Sequence, residues 1–99
     1  MREINPNDVL RTELLKCKAG KTKEERKEIF TTRLKDFLLS HPEVVFDVEK
    51  IFDKELEKWR ETLIFRLGYL QRIEKMDISV NSDYTRFRLL RCESTDTLP

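Results

Sequence analysis

The sequence predicts a mainly α domain that ends in a C-terminal β-hairpin. Apolar residues recur at helical spacing over most of residues 6–76, which argues for amphipathic helices. Past Asp77 the period drops to two: Thr85, Phe87 and Leu89 alternate with Arg86 and Arg88, as in a strand with one buried face. A chain of 99 residues has room for one hydrophobic core. Residues 1–91 are therefore read as a single domain, and the polar, acidic stretch 92–99 as a flexible tail.

Taken in order, Asn5-Pro6 opens the first helix. Asparagine suits the N-cap, and proline fits the first helical position, where its missing N–H would be unpaired anyway. Val9, Leu10, Leu14 and Cys17 follow at helical spacing, and Gly20 is expected to supply a left-handed stop, giving a helix over 6–19. Thr22-Lys23-Glu24-Glu25 has the capping-box pattern of a second helix start. Ile29, Phe30, Leu34, Phe37 and Leu38 form its apolar stripe. It ends at Ser40-His41-Pro42, because the residue before proline is pushed out of helical geometry.

Glu43 to Phe46 suits a brief strand or an extended link. Asp47 is the N-cap of a short helix carrying Val48, Ile51 and Phe52. Leu56, Leu63, Leu67, Leu70 and Ile73 then make a further helical stripe with Trp59 beside it. Residues 53–57 admit either a turn or an unbroken helix from Asp47 to Met76. Ile78-Ser79-Val80 and Tyr84 to Leu90 pair as the hairpin, with Asn81-Ser82-Asp83 as a three-residue connection whose Asn and Asp tolerate left-handed geometry.

Lysine plus arginine total 20 and aspartate plus glutamate 19, a net charge of +1, so no global basic field draws the chain to nucleic acid. Any such role needs segregated charge. No apolar run approaches the roughly 20 residues that span a bilayer, and MREINPND lacks a signal-peptide core, so the expectation is a soluble intracellular protein, cytoplasmic or nuclear. Cys17, Cys92 and the lone His41 have no metal-ligand spacing. No convergent nucleophile and base and no phosphate-cradling glycine loop is legible. The sequence thus predicts a non-enzyme with no cofactor, metal or small-molecule substrate.

The succession helix, short strand, short helix, longer helix, hairpin resembles the winged helix-turn-helix superfamily over about residues 24–91. The residues that carry it are Arg60-Glu61-Thr62-Leu63, Arg66-Leu67, Tyr69-Leu70 and Gln71 to Ile78: a polar start, leucines locking the helix to the core, then the first strand of the wing. The resemblance implies a winged-helix-like three-helix core with the first helix as an extra N-terminal element. It also implies a duplex-DNA-binding regulatory module, in which the longer helix enters the major groove and the wing touches backbone. Arg60 and Arg72 would then face the groove and Arg86, Arg88 and Arg91 the phosphates. Glu57 and Glu61 oppose this by repelling phosphate, and Ile64 and Phe65 read nothing polar.

The competing expectation is a protein–protein interaction module, an adaptor, assembly subunit or inhibitor. The longer helix is apolar nearly all round, and Trp59, Ile64, Phe65 and Tyr69 include residue types that anchor interfaces. A homodimer is a further possibility, with the first helix exchanged between two copies. What divides the two readings is whether the chain's own first helix covers Ile64 and Phe65.

Overall fold

The computed structural model describes residues 5–90. Arg91, Cys92 and the tail expected at 92–99 lie outside the described residues. The order is α1 (Pro6–Leu15), a 3-10 turn (Lys16–Ala19), α2 (Lys23–Ser40), β1 (Phe46–Asp47), α3 (Val48–Ile51), a second 3-10 turn (Lys54–Leu56), α4 (Glu57–Arg72), β2 (Ile78–Val80) and β3 (Arg86–Leu89). The fold is mainly α with a small antiparallel sheet in the order β1-β3-β2, a shape compatible with a winged helix.

The caps read from sequence are present. The Asn5 side chain accepts the Asn7 amide, and Pro6 starts α1. At α2, Thr22 Oγ1 accepts the Glu25 amide at 3.0 Å while Glu25 reaches back to the Thr22 amide, so two unpaired helix-end donors are satisfied together. At its other end His41 stacks on Phe37, ring centroids 4.2 Å apart, with Nδ1 3.0 Å from the Phe37 carbonyl.

Gly20 corrects one expectation. It has φ −66, not left-handed geometry. It is glycine because the start of α2 passes so close that a Cβ would lie 2.8 Å from the Arg26 amide nitrogen. The left-handed stop comes elsewhere, at Lys75 (φ 60) after α4, where the Met76 amide bonds back to the Leu70 carbonyl at 3.0 Å. That bond satisfies an orphan carbonyl at the helix end without glycine. Ile73, expected in the buried stripe, lies just past α4 and is 61% exposed.

The core is one cluster. α1 gives Leu10 and Leu14, α2 gives Phe30, Leu34 and Leu38, α4 gives Leu63, Leu67 and Leu70, and Phe46, Phe52 and Phe87 fill the space beside the sheet. On β3, Phe87 and Leu89 are buried and Arg86 and Arg88 exposed, which is the alternation expected. The extra helix has a definite structural task. α1 packs on α2, α3 and β1, and the buried Asn7 side chain accepts the Asp47 amide at 2.8 Å. That bond satisfies a donor on the outer edge of the sheet.

The chain turns between α3 and α4. Phe52 and Asp53 are extended, Asp53 caps the 3-10 turn by accepting the Glu55 amide at 3.1 Å, and α4 starts afresh at Glu57. Arg60 then donates from Nε to the Phe52 carbonyl and locks the corner. Residues 47–76 are therefore not one rod.

The hairpin connection is longer than the three residues expected. The Asn81 amide bonds the Arg86 carbonyl at 3.1 Å, and the Asn81 side chain accepts the amides of Thr85 and Arg86, both at 2.9 Å. The left-handed residue is Tyr84 (φ 59), not Asn81 or Asp83, and β3 begins only at Arg86.

Candidate interaction face on the fourth helix

An α-helix turns about 100° per residue, so Leu63, Leu67 and Leu70 of α4 share one stripe and Glu61, Phe65, Gly68 and Arg72 share the opposite one. The leucines are buried. Along the opposite stripe Glu61 and Arg72 are exposed and Phe65 is 61% exposed, a large aromatic facing solvent midway along the helix. The first helix lies on the α2, α3 and β1 side of the domain and leaves Phe65 open.

On one flank of this stripe α4 and the hairpin form a groove of about 300 Å³, lined by Ile64, Phe65, Gly68, Arg72, Val80 and Tyr84. Hydrogen bonds at both ends fix its shape. Gln71 Nε2 donates to the Ile78 carbonyl at 2.7 Å and ties helix to hairpin, and the Asn81 network holds Tyr84 at the tip. Tyr84 is 57% exposed. Left-handed backbone at a non-glycine residue costs about 1–2 kcal/mol, which the Asn81 bonds offset. On the other flank Arg66 lies 5.2 Å from the Phe65 ring centroid and 5.7 Å from that of Tyr69, a cation against two aromatic faces.

The residues singled out from sequence separate into distinct environments. Trp59 is a seam residue, half-buried in an aromatic run with centroids 6.1 Å from Phe30 and 5.7 Å from Phe52, and with Lys18 Nζ 5.8 Å from its ring. Tyr69, one turn beyond Phe65, is partly buried against the core, Ile64 borders the hairpin groove, and Trp59 does not share a face with Phe65. Arg60 is half-buried, with one guanidinium donor committed to the corner. Arg72 is exposed at the last turn of α4, and among the described residues no carboxylate stands within ion-pair distance of it.

Arg86 and Arg88 project from the outer face of the central strand toward acids of the neighbouring segment. Arg86 Nε is 3.9 Å from Asp47 Oδ2, and Arg88 Nη1 is 3.7 Å from Glu43 Oε1. Exposed pairs of this kind contribute about 0–1 kcal/mol, yet they place a negative charge beside each cation. Arg91 lies outside the described residues. The parts that sequence reading missed are Val80 and Tyr84 as walls of the groove. Their only signal was position in the hairpin, and the pairing register had to be known first.

Among the described residues no three His, Cys, Asp or Glu side chains gather as a metal site, and no helix is long and apolar enough to cross a membrane. Cys17 is buried, and burial pushes its thiol pKa up, away from the nucleophilic thiolate. The larger surface hollow, between α2 and the end of α4, mixes Lys27, Lys35 and Arg66 with Glu28, Asp36 and Glu74 and presents no single sign of charge. Lys35 Nζ and Glu74 Oε1 meet there at 2.8 Å, which raises the lysine pKa. Comparison of the chain with family models, with curated proteins and with solved structures finds no match.

Proposed function

We propose that this chain is a small non-catalytic protein-interaction module of winged-helix type, whose docking face is the outer stripe of α4 with the adjoining hairpin groove. One observation carries the reading: Phe65 stands 61% exposed at the centre of the helix that a DNA-binding winged helix would insert into the major groove. A phenylalanine there has no hydrogen bond to offer a base edge. Fully burying such a ring against a partner contributes about 1.5–3 kcal/mol. The strained, exposed Tyr84 at the groove's rim supports the same reading, since backbone strain concentrates at binding sites.

The alternative, a regulatory module for duplex DNA, draws support from Arg72, which has no acidic partner among the described residues, and from the hairpin lying beside α4 as a wing would. Against it stand Glu57 and Glu61 in the N-terminal half of α4, the part that reads bases in helix-turn-helix docking, and the acids beside Arg86 and Arg88.

A displayed random-peptide library, selected on the protein and counter-selected on Phe65→Asp, tests the proposal. The expected result is enrichment of peptides that carry apolar anchors and bind the parent chain but not the variant. No such enrichment, together with salt-dependent binding of random duplex DNA that weakens on Arg72→Ala, would replace the proposal with the nucleic-acid reading.

A further inference from the structure

We infer that the occupant of the α4 face is a second copy of this chain, docked with the two α4 helices antiparallel across a two-fold axis. The inference rests on the protein-interaction reading and goes beyond it by naming the partner. Its basis is the order of side chains along the exposed stripe: Glu61, Phe65, Gly68, Arg72, spaced four, three and four residues apart. This is the spacing of a helix–helix contact seam.

The stripe is complementary to its own reverse. Place the two-fold axis midway between Phe65 and Gly68. Phe65 of each copy then meets Gly68 of the other, a large knob against the one position on the stripe with no side chain. Glu61 of each copy meets Arg72 of the other, so one contact generates two opposite-charge pairs. A parallel arrangement would instead set Glu61 against Glu61 and Arg72 against Arg72.

Within one copy Glu61 and Arg72 cannot pair directly along the helix, because eleven residues separate them by about 16 Å of axial rise. The Arg72 guanidinium lies over Gly68 in the single chain, its Nη1 3.4 Å from where a Cβ would be. Swinging out toward the partner's acid uncovers the slot that the incoming phenylalanine fills. The same two-fold operation puts both hairpins on one side of the helix pair, where Val80 and Tyr84 of each copy flank the contact. The α1 helices stay on their own cores, tied through Asn7 to the sheet edge, so no exchange of segments is needed.

Sedimentation velocity over a concentration series tests the arrangement. The parent chain is expected to show a reversible monomer–dimer equilibrium, on the order of micromolar for so short a seam. Phe65→Asp is expected to be monomeric. Glu61→Arg gives a chain with two cations on the stripe and Arg72→Glu one with two anions, so each alone should dimerise at least tenfold more weakly. Mixing those two variants should restore dimer, as a heterodimer with both charge pairs intact, and the double variant Glu61→Arg/Arg72→Glu should recover homodimer.

Three results would overturn the inference: a parent chain that stays monomeric, a dimer indifferent to Phe65→Asp, or single charge reversals not rescued by mixing. A monomeric parent that still selects Phe65-dependent peptides would remove the second copy as occupant and leave the protein-interaction reading standing. Duplex-DNA binding through α4 without such peptides would remove both.

Discussion

Replacing Gly20 by alanine should destabilise this protein even though its backbone angles suit any residue. At φ −66 the usual effect of Gly→Ala is a gain of about 0.4–1 kcal/mol, because the unfolded chain loses conformational freedom. Here the added Cβ would sit 2.8 Å from the Arg26 amide nitrogen and 3.1 Å from its Cα, where ordinary contact begins near 3.4 Å. Those are backbone atoms in the first turn of α2, held by the 3.0 Å bond from the Arg26 amide to the Thr22 carbonyl. A further 3.0 Å bond runs from Arg26 Nη1 to the Gly20 carbonyl. Relieving the clash means shifting that turn and loosening its capping box, an overpacking cost of about 1–3 kcal/mol. Set against the entropic gain, the net loss is about 0.5–2 kcal/mol, and a domain of this size loses roughly 4–8 °C in Tm per kcal/mol. Thermal unfolding followed by circular dichroism reads it directly. A Tm equal to or above the parent's would refute the close approach of the two segments.

Other substitutions probe the remaining joints. Arg60→Met keeps the aliphatic stem but removes the donor to the Phe52 carbonyl, and urea unfolding should show a loss of about 1–2 kcal/mol. Asn7→Leu strips the Asp47 amide of its acceptor at the sheet edge and should cost about 1–3 kcal/mol in the same assay. In a Cys92→Ser background, alkylation of the buried Cys17 at mildly alkaline pH should be slow in buffer and rise steeply across the urea transition. Fast labelling of native protein would contradict its placement.

Much of the fold was legible because local chemistry determined it. The Asn5, Thr22 and Asp47 caps, the ends of α2 and the alternation along β3 each follow from a few neighbouring residues, and all are present. The turn at 53–57 stayed open in the sequence because Asp-Lys-Glu-Leu-Glu is equally at home inside a helix. Tertiary contacts decide it: Phe52 goes into the core, and Arg60 fastens the corner from the next helix.

Gly20 misled for a related reason. Glycine after a helix usually signals left-handed geometry, whereas here it marks crowding by a distant backbone that local sequence does not display. Glu43, Lys75 and Tyr84 took the left-handed positions, Lys75 beside the bond from the Met76 amide to the Leu70 carbonyl and Tyr84 within the Asn81 network. For the candidate site, the apolar excess on α4 was visible, but which side lay open was not. Trp59 and Phe65 look alike as interface residues until packing places one between Phe30 and Phe52 and the other in solvent.

The orientation of Phe65 is best tested by urea unfolding of Phe65→Asp beside Leu67→Ala, at a concentration where the parent chain is monomeric. A solvent-facing ring allows the aspartate variant to unfold within about 0.5 kcal/mol of the parent, while removing the 2%-exposed Leu67 side chain costs about 2–5 kcal/mol. If Phe65→Asp proves as damaging as Leu67→Ala, Phe65 belongs to the core and α4 has no open apolar face.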